Sequence, residues 1–140
     1  MNIKKGINSM KHKTFILSLL FLCVFLIGCG PQSNNRKSID DLVDHFKQAG
    51  LHVGQKSDKL AVFIGASDGT GLDIDGSQVE FYKFDIDVPV QKAALDKYHK
   101  DGWFEIMGTK FYVIVNGSFM LLIDNEHSKW NEIEKAFQSF

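Results

Sequence analysis

The sequence predicts an α+β domain over residues 38–140, built on a mainly antiparallel sheet of about four to six strands with helices packed on one face. Three observations lead there. Two turn signals, Asp75-Gly76-Ser77 and Asn116-Gly117, lie between extended segments, which is the pattern of a β-hairpin. Apolar residues recur at helical spacing at both ends of the segment: Ile39, Leu42, Val43, Phe46 and Ala49, then Trp130, Ile133, Phe137 and Phe140. Between the hairpins, Asp87-Val88-Pro89 opens a third helix, because proline tolerates the first helical turn.

Taken in order, Ser38 caps the first helix with its hydroxyl, and Asp40 and Asp41 suit the positive helix start. Gly50 stops it. Residues 51–53 read as a short strand, 60–64 as an apolar strand ending at Gly65, and 66–71 as a loop. Residues 72–75 and 78–86 form the first hairpin, with Val79, Phe81 and Lys83 on one face and Glu80, Tyr82 and Phe84 on the other. The middle helix runs through Ala93, Ala94, Lys97 and Tyr98 to Asp101-Gly102. Residues 103–107 form a short strand, and 110–115 and 118–123 the second hairpin. Asn125 or Ser128 is expected to cap the last helix.

Ahead of this domain, residues 14–27 form an uncharged run of 14 residues preceded by Lys11 and Lys13. A run of that length is too short to span the roughly 30 Å of a bilayer's hydrocarbon core, but it fits the apolar region of a signal peptide. It ends Leu26-Ile27-Gly28-Cys29, which resembles the lipobox of bacterial lipoproteins. That resemblance implies cleavage after Gly28, a lipid on the Cys29 thiol, and a protein held on the extracytoplasmic side of the cell membrane, or of an outer membrane in a two-membrane host. Translation from Met10 would give a compact signal of the same kind. The expected organisation is a signal peptide at 1–28, a lipidated flexible tether at 29–37 and a single domain at 38–140. From Val79 to Phe140 the order of elements resembles, in pattern rather than motif, small uncharacterised envelope lipoproteins.

Residues 1–28 carry four lysines and no acid, so the remainder holds 12 basic against 17 acidic side chains, a net charge of −5. A domain of that sign, with no basic patch, is not expected to bind nucleic acid. Cys23 lies in the apolar run, leaving Cys29 as the only cysteine of the mature chain, so no disulfide is expected within the domain. No cofactor motif and no nucleophile elbow, phosphate-binding loop or histidine metal spacing occurs, and His45, His52, His99 and His127 read as solvated.

Asp68, Asp73 and Asp75 offer weak candidate oxygen ligands for calcium in a glycine-bearing stretch, although the spacing does not complete an EF-hand loop. Asp85 and Asp87 read as solvated aspartates at a helix start. Adjacent aromatics place at least one of each pair away from a single core face, so Phe81, Tyr82, Trp103, Phe111 and Tyr112 make up a possible partner surface. The leading expectation is a non-catalytic envelope lipoprotein that binds a protein or cell-wall partner. A small calcium-dependent module or enzyme using residues 68–75, and a tethered inhibitor or exclusion lipoprotein, are the alternatives.

Overall fold

The structure is a computed structural model that describes residues 34–123 and 126–140. The signal segment, the Leu26–Cys29 motif and Asn125 lie outside the described residues.

The first helix, α1 (Ile39–Gln48), starts at a capping box. The Asp41 N–H donates to Ser38 Oγ at 3.1 Å, and the Ser38 N–H donates to Asp41 Oδ2 at 2.7 Å, so two otherwise free amides satisfy each other's side chains. Its apolar stripe buries Ile39, Leu42 and Phe46, and Gly50 leaves the helix at φ 86°, a conformation that favours glycine.

Strands β1 (Val53–Asp58), β2 (Asp68–Ile74) and β3 (Ser77–Lys83) form one antiparallel meander. Helix α2 (Pro89–Asp101) leads to a second meander of β4 (Trp103–Ile106), β5 (Thr109–Asn116) and β6 (Phe119–Leu122). Helix α3 (Trp130–Gln138) closes the chain. The meanders join where β3 pairs β6, with Phe81 opposite Leu121 and Tyr82 opposite Met120, giving the sheet order β1-β2-β3-β6-β5-β4. The fold is therefore α+β on a six-stranded antiparallel sheet.

The helices do not share one face. On the first face, α1 and α3 bury Leu72, Ile74, Phe81, Phe119 and Leu121. On the second, α2 and a 3-10 turn at Ala61–Ile64 lie over Tyr82, Phe84, Phe104 and Met120. The reason lies in the two central strands, which are apolar on both sides: Phe81 and Tyr82 are successive, as are Phe119, Met120, Leu121 and Leu122. Successive strand residues point to opposite faces, so both faces need cover.

Several local expectations change for local reasons. Residues 60–64 turn instead of extending, because Ala61 and Ile64 are buried at the i, i+3 spacing of a 3-10 helix and Gly65 reverses the chain at φ 75°. Residues 68–71 are strand, not loop, since each pairs with β3 from Asp68 opposite Lys83 to Gly71 opposite Glu80. The strand read at 51–53 proves to be a longer polar edge strand, β1. The second hairpin turns at Gly117-Ser118, because Asn116 stays in the ladder opposite Phe119. Ser128 does not cap α3; instead His127 Nδ1 accepts the Lys129 N–H at 3.0 Å. His127 is buried and also bonds the Ile74 carbonyl, contrary to the solvated state expected of it.

The packed unit also begins earlier than Ser38. Asn34 is only 4% exposed, and its Oδ1 accepts from the Ser118 N–H at 2.7 Å and the Ser118 hydroxyl at 3.0 Å. Asn35 Nδ2 donates to both Asp85 and Asp87, at 3.2 and 3.1 Å, so these two aspartates bracket the incoming chain. The final residues expected of the tether are thus fixed on the domain.

Candidate functional site

The second face is only partly covered. Helix α2 shields part of its β4–β5 side and the 3-10 turn crosses toward it from β2, leaving an apolar groove of about 280 Å³ between the turn and the β4–β5 strands. Leu60, Phe63 and Ile64 form one wall, Ile106 and Phe111 the other, and Tyr82 and Leu122 lie at the base. The 3-10 turn carries unusual side chains for its exposure: Leu60 is 73% exposed, and Val62 and Phe63 are each 77%. With half-exposed Ile106 and fully exposed Met107 at the β4–β5 tip, apolar groups lie on both sides of the groove.

Two glycines of β2 make room for Tyr82 and Lys59, which line the groove. Gly69 lies opposite Tyr82 in the ladder, and a Cβ there would come within 2.8 Å of the Tyr82 ring and 3.3 Å of the Ala61 Cβ. Gly71 lies opposite Glu80, and a Cβ there would meet Lys59 Cε at 2.6 Å and Ser57 Oγ at 2.7 Å. The Asp68-Gly69-Thr70-Gly71 sequence is therefore a strand stripped of side chains on one face, where an aromatic ring and a lysine stem lie against the backbone.

Polar groups close one end of the groove. Tyr82 donates its hydroxyl to Glu80 Oε2 at 2.6 Å, and Lys59 Nζ reaches Glu80 Oε1 at 2.8 Å and Gln78 Oε1 at 2.9 Å. Burial, then the bond to Glu80, pushes the Tyr82 pKa well above that of a free phenol, so it remains a neutral donor across the physiological range. Both oxygens of Glu80 already accept, so this cluster offers a neutralised polar border to an apolar trough. Such an arrangement binds apolar groups and orients them at one end.

The expected aromatic surface divides among different places. Phe81 is in the core of the first face, fully buried against Phe46 and Phe137. Tyr82 and Phe111 line the groove. Trp103 and Tyr112 are paired across β4 and β5 and share the opposite face from Phe104 and Phe111, with Lys110 Nζ 4.2 Å over the Trp103 ring. What sequence reasoning missed is Leu60 and Phe63, whose signal was the i, i+3 pair Ala61 and Ile64 before a glycine.

The aspartates of residues 68–75 do not converge. Asp68 begins β2 and Asp75 follows its end, a separation of roughly 20 Å at strand rise. Asp68 Oδ1 accepts the Gly69 N–H and Asp73 Oδ1 the Gly76 N–H, each at 2.8 Å, which are local turn and strand-start bonds. They cannot ligate one calcium ion together. Among the described residues no helix is long and apolar enough to cross a membrane, and no group of three or more His, Cys, Asp or Glu is placed to hold a metal. No protein-family model, curated protein or solved structure matches this chain.

Proposed function

We propose that the protein is a lipid-anchored binding module of a bacterial envelope, tethered through Cys29, whose second-face groove receives an apolar segment of an envelope protein. The observation that carries this reading is the exposed Leu60, Val62 and Phe63 beside the groove. A folded domain gains nothing in stability from displaying three large apolar side chains on one short turn, and burial against a partner returns about 25 cal/mol for each Å² removed from water. The anchor rests on the Leu26-Ile27-Gly28-Cys29 sequence.

A photoreactive residue at Val62 in the full chain tests the groove in cells. A discrete adduct is expected, strongly reduced by Phe63→Ser and absent when the probe sits at Lys100 on the outside of α2. Equal adducts from both probe positions, or indifference to Phe63→Ser, would remove the groove from consideration. Fatty-acid labelling tests the anchor separately, with Cys29→Ser expected to lose the label. Equal labelling of wild type and variant would show that Cys29 is not the lipid site.

A further inference from the structure

The two edges of the sheet differ sharply. β1 is polar and carries a register irregularity between Val53 and Lys56, and Lys56 is held by Asp40 at 2.7 Å, devices that blunt an edge against pairing. β4, at the other edge, reads Trp-Phe-Glu-Ile and among the described residues pairs only with β5. Ile106 opposite Thr109 closes the two-residue Met107-Gly108 turn, and hydrogen bonding alternates from there along the ladder, continued by the Val113 N–H donating to the Gly102 carbonyl at 3.0 Å. Trp103 and Glu105 therefore direct their N–H and C=O groups away from the sheet.

Among the described residues the charges along this edge form no ion pairs. Glu105 and Lys110 are cross-strand partners, yet Lys110 is turned over the Trp103 ring and Glu105 makes no ion pair among the described residues. On α2, Lys97 and Asp101 both border a cleft beside β4 and form no ion pair with each other.

We propose that β4 pairs antiparallel with β4 of a second copy about a twofold axis through Phe104, joining two sheets into one. This register puts Trp103 of each copy opposite Glu105 of the other, and each such pair exchanges two N–H···O bonds. The same register brings Glu105 of the second copy to the Lys110 ammonium that already overlies Trp103, and symmetry repeats the contact. The Tyr98 and Phe104 rings are 5.5 Å apart, so α2 crosses near the axis and Lys97 of each copy faces Asp101 of the other. A second copy fits better than an unrelated strand because Glu105 and Lys110 of the β4–β5 hairpin, and Lys97 and Asp101 of α2, are complementary to themselves under a twofold. The pairing goes beyond the groove reading.

Sedimentation equilibrium of the full chain in density-matched detergent should give twice the chain mass. Glu105→Lys and Lys110→Glu should each give a monomer with an unchanged far-ultraviolet circular dichroism spectrum, and the double variant should recover the dimer. Independently of any substitution, the Trp103 and Glu105 amides should exchange with deuterium slowly at high protein concentration and quickly on dilution. A monomeric wild type, a dimer that survives both single reversals, a double variant that stays monomeric, or concentration-independent exchange at these amides overturns the proposal.

Discussion

Gly69 illustrates how one missing side chain shapes the surface. Replacing it with alanine forces a methyl against the Tyr82 ring at 2.8 Å, and overpacking of this kind costs about 1–3 kcal/mol. A urea titration should show Gly69→Ala destabilised by that amount, with Gly76→Ala losing stability only through its φ of 87°, since no atom lies within 4 Å of a Cβ there. Tyr82 carries a pH signature. Its folded pKa is raised above the free value of 10.0, so its contribution is full below pH 10 and is lost as pH rises beyond it. Tyr82→Phe should therefore flatten the alkaline fall of stability while losing about 1 kcal/mol at neutral pH with the bond to Glu80. A Tyr82→Phe chain that falls as steeply as wild type above pH 10 would assign the alkaline limb to other groups. The turn role of Gly76 was legible in sequence, but that of Gly69 was not, because ladder partners such as Gly69 and Tyr82 are far apart along the chain.

At the scale of elements, α1 and α3 bear on the first-face core. Phe137 is fully buried and contacts Phe81 at 6.1 Å between ring centroids, whereas Gln138 is exposed. Phe137→Ala should cost about 3–5 kcal/mol and Gln138→Ala little, as read by thermal melts. An unchanged melt for Phe137→Ala would contradict the packing of α3 on β3 and β6. The capping box of α1 is a smaller device: Ser38→Ala should cost about 1 kcal/mol. Hydrogen bonds from the Ser38 backbone, then from its hydroxyl, hold the Asp41 carboxyl below its usual range, so the stability it adds is present at neutral pH and is lost as pH falls through and below that range. Both terminal helices were legible because amphipathic spacing and caps are local. The 3-10 turn was not, because an apolar run of this length fits a strand as well as a turn until its neighbours choose which residues are buried.

For the whole molecule, the boundary of the folded unit depends on four residues that look like linker. Asn34 fits under the Gly117-Ser118 turn, where a Cβ on Gly117 would overlap its side chain. A chain beginning at Asn34 should melt well above one beginning at Ser38, and Asn34→Ala should cost about 1–3 kcal/mol, because it leaves the buried Ser118 N–H without its acceptor. Indistinguishable melting temperatures for the two chains would return these residues to the tether. The same segment brings Asn35 to Asp85 and Asp87, so a half-buried and an exposed carboxylate bracket an amide at the surface.

The sequence by itself determined the α+β class, the antiparallel hairpin turning at Asp75-Gly76, the three helices and most of their ends. These follow from short-range physics: positive-φ turn residues, capping side chains, and the periodicity of apolar groups. Tertiary structure decided that the helices divide between two faces, that residues 68–71 extend the central sheet, and that Leu60 and Phe63 stand beside a groove floored by Tyr82. Each of those outcomes is a choice of burial. A side chain's fate between core and solvent depends on what the sheet brings opposite it, and that is fixed only when β3 pairs with β6.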